Sequence, residues 1–415
     1  MSRRVFPSIA AAALSAGLTA SLLVPTTAHA ATGPGAAPSA PRAASTAAAR
    51  RNPVAQHVSW STSEEFRTGR RRSVLVAKGE LKLRRPTLRT LHGRRYESGT
   101  WTSPWSTPGY AATHLIPSWE ATTTGDALVR VKVRARGANG KVGSWDTVAD
   151  WALDNPALRR TTYSGQRDDL GRVDVDTWRA ATSVSQWQVR VVLLRAPGGD
   201  AQVAVQRLGG VASVAYGARA TSRPGNAAGT VIPVPRFSQM IHKGHLPRYG
   251  GGGEAWCSPT SIAMVLAHHG HRPKAVGVRR HTNAVVDHTA RLVYDHGYGG
   301  TGNWAFNTAY AATLVDGDSY VTRLRDLRAA EPLIKDGVPL VLSIAFRRGE
   351  LTGAPISSSN GHLVVLVGFD EHGNPVVNDP AGATNSAVRR TYDRAQFEKI
   401  WLNASSGTTY VITDS

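Results

Sequence analysis

The 415-residue chain has one cysteine, so it can form no internal disulfide and build no cysteine-based zinc site. Acid is scarce too: 29 Asp and Glu stand against 49 Lys and Arg, a formal net charge of +20. Past the first thirty residues no run reaches about 18 apolar residues, which excludes a stable membrane span there. Only 19% of residues are charged and 41% are hydrophobic. That balance excludes wholesale disorder, because enough apolar surface exists to offset chain entropy. The 41 glycines and 23 prolines suit a loop-rich, strand-rich protein better than a helical bundle.

The basic excess sits toward the front. Residues 57–215 hold 24 Lys and Arg against 14 Asp and Glu, in runs such as Arg70-Arg71-Arg72, Arg84-Arg85 and Arg94-Arg95. Such runs either form a solvated face or meet an anionic polymer, and an anionic cell-wall polymer is the partner they suggest. No nucleic-acid-binding motif accompanies them, so no nucleic-acid partner is expected.

The N-terminus reads as an export signal over residues 1–30. Arg3 and Arg4 form a positive start, Ile9 to Val24 an Ala/Leu-rich stretch, and Ala28-His29-Ala30 a small-x-small cleavage site. Ser2-Arg3-Arg4-Val5-Phe6 fits the twin-arginine pattern as well as ordinary secretion. Either route makes the protein secreted. Residues 31–56 are Ala, Pro, Ser and Thr with scattered Arg, a linker composition.

Residues 57–217 change texture. Ala127 to Ala135 alternates apolar and basic side chains, and Gln186 to Leu194 is a second such run, as half-buried strands require. Turn residues at Gly137–Gly140 and Pro197–Asp200 punctuate them. Eight of the 11 tryptophans fall here: Trp60, Trp101, Trp105, Trp119, Trp145, Trp151, Trp178 and Trp187. The expected architecture is an all-β sandwich or jelly roll, with most tryptophans in its core.

A second linker, 218–230, leads to residues 231–415. There Ile262, Val265, Leu266 and His269 follow helical spacing, Pro259 suits a first turn, and Gly270 suits a stop. The only thiol, Cys257, therefore lies at a helix N-terminus. A second helix is expected over Leu324 to Lys335, and an apolar strand over Val338 to Phe346. His362 to Phe369 and Pro375 to Asp379 read as a hairpin around Asp370–Asn374, with a last strand at Tyr410–Ile412. Helices segregated against an antiparallel sheet make this half α+β.

Four residues carry the chemistry. A thiol is a strong nucleophile only as thiolate, which helix N-terminal amides and a nearby imidazolium both favour. The hairpin folds His362 and Asp379 back toward each other, giving base and orienter for Cys257. Asn378 competes with Asp379, because adjacent strand residues point to opposite faces. Gln239 supplies a side-chain amide donor that, with the Cys257 N–H, suits an oxyanion.

Phe237-Ser-Gln239, Trp256-Cys-Ser-Pro-Thr-Ser-Ile-Ala-Met264, Gly361-His-Leu-Val-Val-Leu-Val-Gly-Phe369 and Val377-Asn-Asp-Pro380, in that order, resemble the peptidase C39-like group of papain-like cysteine peptidases. The resemblance implies a papain-like α+β domain hydrolysing peptide bonds of a peptide or protein substrate. It makes Gln239 the oxyanion donor, Cys257 the nucleophile, His362 the base and Asp379 the orienter. Ser258 stands where the family usually has Gly. Tyr298 to Asn307 resembles a stretch of secreted actinobacterial members, and the upstream β module with Pro117-Ser-Trp119 resembles their partner domain. Two rival readings share the sequence: a cell-wall amidase, and a non-catalytic wall- or glycan-binding protein with a degenerate peptidase fold.

Other motifs fail on context. Gly297-Tyr-Gly-Gly-Thr-Gly302 fits G-x-G-x-x-G but lies in no strand–helix unit, so no dinucleotide cofactor is expected. The His242/His245 and His268/His269/His271 groups lack an HExxH pattern or a partnering carboxylate, so neither metal nor cofactor is expected.

Overall fold

Alternation along the sequence becomes a paired ladder. Strands Ala127–Gly137 and Thr177–Arg195 run antiparallel with Val129 opposite Leu193, Val131 opposite Val191 and Val133 opposite Val189. These six side chains are fully buried on one face, while Arg130, Lys132, Arg134 and Arg190 occupy the other. The computed structural model describes residues 55–154 and 158–414. The expected signal sequence and all but the last two residues of the first linker lie outside them.

Thirteen antiparallel strands between Ala55 and Ser213 join into one branched sheet. Thr177–Arg195 carries much of the branching. Along its 19 residues it pairs with Gly171–Asp174, Ala112–Thr123, Ala127–Gly137 and Arg94–Thr102. Its register shifts between Arg179 and Val184 and again between Val184 and Gln186, where bulges let one strand change partners. Trp60, Trp101, Trp119, Trp151, Trp178 and Trp187 are buried. Trp105 and Trp145 are half-exposed on the arginine face.

The second sheet has six antiparallel strands in the order Ser319–Arg323, Thr408–Ile412, Leu340–Phe346, Ser359–Phe369, Pro375–Asn378, Arg389–Thr391. Helix Cys257–His268 packs on Ser359–Phe369 and ends as expected, with Gly270 at φ +85°. The next expected helix starts at Leu327 rather than Leu324, because the Asp326 side chain accepts the Ala329 N–H and caps it there. Helices Val285–Val293, Trp304–Ala312 and Arg394–Ser405 are additional. The described chain is thus mostly β, in two large antiparallel sheets with few helices.

The described residues of the two halves lie in one compact unit. Ile116 and Val211 of the first sheet share an apolar cluster with Ile262, Val321 and Tyr410, and Phe306 packs edge-on against Trp119, ring centres 6.1 Å apart. Arg160 crosses over, buried, to donate to the Arg291 carbonyl at 2.9 Å, just inside the end of helix Val285–Val293. Segment 218–230 has no helix or extended strand, yet it is pinned along its length. Glu398 accepts the Ser222 N–H at 2.7 Å, and Glu331 the Gly225 N–H at 2.9 Å.

Candidate active site

Cys257 opens its helix half-exposed, with Trp256 preceding it fully buried and donating its indole N–H to the Tyr249 carbonyl at 2.7 Å. Being the first residue of the helix, Cys257 has a backbone N–H without an intrahelical acceptor. Ser258, in the place of the usual glycine, is buried with its hydroxyl 3.1 Å from the equally buried Tyr410 hydroxyl. One turn on, the Ser261 hydroxyl donates to the Leu363 carbonyl at 3.2 Å. That bond ties the thiol's helix to the strand beside His362.

His362 is buried, and its Nε2 lies 2.7 Å from Asp379 Oδ1. With that nitrogen engaged, Nδ1 is the ring nitrogen left for the thiol, and the His362 charge acts on Cys257. Asp379 is held from three sides. Its Oδ1 also accepts the Ala381 N–H at 3.0 Å, and its Oδ2 accepts the Tyr392 hydroxyl at 2.8 Å. Asn378 turns the other way: its amide donates to the Pro235 carbonyl at 3.0 Å and its oxygen accepts Arg389 Nε at 2.7 Å. The pleat separates the two neighbours as strand geometry requires.

Charge reinforces this geometry. Burial pushes the Cys257 thiol up, but the His362 hydrogen bond and charge, with the Leu363 and Ser258 N–H groups, bring it below its ordinary value. Burial alone would lower His362. The Asp379 carboxylate outweighs it and raises the imidazole to about 10. Burial favours a neutral Asp379, yet the imidazolium, the Tyr392 hydroxyl and the Ala381 amide keep it below the usual carboxylate range. All three shifts favour one state: thiolate, imidazolium, carboxylate.

Gln239 is buried, and its Nε2 donates to the Glu254 carbonyl at 2.7 Å. A primary amide carries two hydrogens, so this bond fixes the group and leaves the second hydrogen available. The Gly250–Gly253 run lets the loop approach: a Cβ on Gly253 would lie 2.4 Å from the Gln239 carbonyl oxygen. Tyr298, 51% exposed, feels the Cys257 charge, and Thr301 donates to the Ala255 carbonyl at 3.3 Å.

Sequence reasoning missed Tyr392, which carries no spacing signal relative to His362, and Asp295. The Asp295 carboxylate accepts from Thr162, Gly297, Tyr298 and Asn303, which stitches the glycine-rich loop to the first sheet. Gly297 lies against that strand, where a Cβ would come 2.3 Å from the Thr162 carbonyl oxygen. The three imidazoles of His268, His269 and His271 go to the Gly337 and Ile412 carbonyls and to Asp414. One expectation is corrected. His271 has a partnering carboxylate in Asp414, and His242 and His245 share one, Asp287, 45 and 42 residues away, which only folding brings to them.

Among the described residues no helix is long and apolar enough to cross a membrane. No curated protein matches the chain. A crystal structure described as a C39-like peptidase from Bacillus anthracis is 20% identical, covering 45% of this chain and 98% of that one, with a TM-score of 0.30. The Agl-KA catalytic domain is 14% identical over 43% of this chain and 31% of that one, with a TM-score of 0.16. Residues 56–213 match the Peptidase C39 N-terminal domain and residues 231–409 the Peptidase_C39 like family. With both matches in that order across most of its length, the chain belongs to the peptidase C39-like family.

Proposed function

We propose that this protein is a secreted cysteine peptidase in which Cys257, His362, Asp379 and Gln239 hydrolyse amide bonds of a peptide or protein substrate. The observation that supports it most is the contiguous thiol–imidazole–carboxylate chain with every protonation shift favouring the ion pair. The Cys257 thiolate attacks the scissile carbonyl carbon, forming a C–S bond and an oxyanion. That oxyanion accepts from Gln239 Nε2 and the Cys257 N–H. Imidazolium His362 protonates the departing amine as the C–N bond breaks, leaving a thioester. Neutral His362 then takes a proton from water. The hydroxide adds to the thioester, the C–S bond breaks, and the acid leaves with the ion pair restored. Asp379 stays ionised and orients the ring throughout. The fold around this site is read as papain-like α+β.

The N-terminal half is proposed to hold an anionic cell-wall polymer on its arginine face. Arg190 lies 3.9 Å over the Trp145 ring, Arg134 4.6 Å over Trp145, and Arg136 4.5 Å over Trp105. Hydrogen-bond partners there are neutral: Arg134 uses Gln188 and Arg190 uses Thr102. Burial and the neighbouring guanidinium groups lower Arg190 to about 10, a strain that an anion would relieve.

Cleavage of a peptide library by the mature protein, with Cys257→Ala as the blank, tests the first proposal. Cysteine-dependent cleavage of internal peptide bonds is expected. Release of amines from purified peptidoglycan without peptide cleavage would favour the amidase, and equal cleavage by Cys257→Ala would remove the nucleophile. Salt-sensitive sedimentation with teichoic-acid-bearing walls, lost in Arg134→Ala/Arg190→Ala, tests the second.

A further inference from the structure

Four side chains outside the active site converge as metal ligands do. His242 Nδ1 lies 2.6 Å from Asp287 Oδ2, His245 Nδ1 2.9 Å from Oδ1, and His281 Nε2 3.0 Å from Oδ2. One donor atom from each residue falls within 4.8 Å of all the others. The imidazole rings crowd together, His245 and His281 only 4.5 Å apart between centres. Tetrahedral zinc bonds of about 2.0–2.2 Å set neighbouring donors about 3.4 Å apart, within a small adjustment of this arrangement.

Hydrogen bonding to the carboxylate accounts for His242 and His245 but not for the whole cluster. His281 Nε2 is buried and 3.0 Å from the carboxylate oxygen, yet makes no hydrogen bond to it or to any other group. A ring nitrogen that is near a carboxylate but not aimed at it is what two ligands of one ion look like.

Local structure supplies the donors. His242 ends the short 3-10 turn Met240–His242, and its carbonyl accepts the His245 N–H at 3.0 Å, which brings both rings to one turn. His281 precedes a turn through Asn283, φ +55°, into helix Val285–Val293, which carries Asp287 in its first turn. Asp287 and His242 are nearly inaccessible, whereas His245 keeps 35% of its side chain exposed and marks a route of entry.

We propose that His242, His245, His281 and Asp287 bind one divalent transition-metal ion of the zinc class as a closed structural site. Three imidazoles and one carboxylate suit zinc, and four protein donors leave no open position for chemistry. The ion would clamp the segment running from Gln239 to His245 onto helix Val285–Val293. Trp256, beside Cys257, packs 6.5 Å from the His242 ring, so the clamp backs both the nucleophile and the amide donor.

The test is titration of untagged, chelator-treated protein with cobalt(II), in a Cys257→Ala background so that the catalytic thiol cannot bind the ion. One equivalent is expected, with the intense visible absorption of four-coordinate cobalt, bleached by zinc, and zinc should raise the melting temperature. His245→Ala, at a partly exposed position, should fold and melt like the metal-free parent. It should bind cobalt at least about tenfold more weakly and lose the zinc-dependent rise; Asp287→Asn provides a second variant. No saturable binding near one equivalent, the pale spectrum of six-coordinate cobalt, or undiminished binding by His245→Ala would overturn the site.

Discussion

His362 and Asp379 meet at 2.7 Å although the hairpin ladder does not pair them: Val365 stands opposite Asn378, which puts Asp379 beyond the last paired residue. The carboxylate gets there because the chain leaves the ladder. The Asp379 N–H goes to the Val388 carbonyl at 2.9 Å, and the Gly382 N–H returns to the Asp379 carbonyl at 3.1 Å, closing a turn under the ring. Asp379→Asn keeps the shape but removes the charge that raises His362, and should lower kcat/KM by about 10^2-fold or more. Asn378→Ala, by contrast, unpairs the Pro235 carbonyl and Arg389. It should cost about 1–3 kcal/mol of stability and leave kcat within a few-fold. Steady-state kinetics beside thermal melts separate the two.

Tyr392 holds the carboxylate proposed to orient His362. Tyr392→Phe deletes the 2.8 Å bond to Asp379 Oδ2 and keeps the buried ring. The expected result is a fall of about tenfold in kcat at unchanged KM, with His362 titrating at a shifted pH because its partner is less firmly held as a carboxylate. A purely structural tyrosine would lower the melting temperature and leave the pH profile where it was.

Peptidase activity should follow a bell in pH. The acidic limb reports the Cys257 thiol, below its ordinary value, and the alkaline limb reports His362 near 10. The same groups set stability. His362 is raised on folding, so its contribution is complete below about 6.5 and fades as pH climbs through about 10. Asp379 is lowered, so its contribution is present above its unfolded value of about 3.8 and fades as pH falls through its folded one. Denaturant titrations across pH should show both losses in wild type and only the acid-side loss, diminished, in His362→Ala.

Ser258→Gly restores the residue the family usually carries and strands the buried Tyr410 hydroxyl. It should cost about 1–3 kcal/mol in stability while leaving kcat within about threefold. Loss of activity at full stability would mean that Ser258 serves the reaction rather than the core.

Much of this was legible from local patterns. A cysteine before Pro259 and a helical apolar stripe gives a thiol at a helix start, and a hairpin between His362 and Asp379 needs only alternation and a turn. Such signals span fewer than 20 residues. What the sequence hid is long-range. Asp287 finds its histidines 42 and 45 residues back, and Asp295 grips Thr162 across 133 residues; Tyr392 is only 13 residues from Asp379, but no alternation or turn signal aims it there. Segment 218–230 reads as a linker by composition, and nothing local reveals that Glu331 and Glu398 will claim its amides. The tryptophans illustrate both sides. Their number marks a core, but the two that stay partly outside, Trp105 and Trp145, lie just beyond strand ends that alternation does not locate.

The decisive measurement is the rate of iodoacetamide alkylation of the single thiol as a function of pH, with His362→Ala beside it. A Cys257–His362 ion pair should hold the rate nearly constant well below the ordinary thiol range of about 8.5, and His362→Ala should return it to that range. A wild-type rate that rises only near 8.5 and matches His362→Ala would contradict the ion pair on which the proposed chemistry depends.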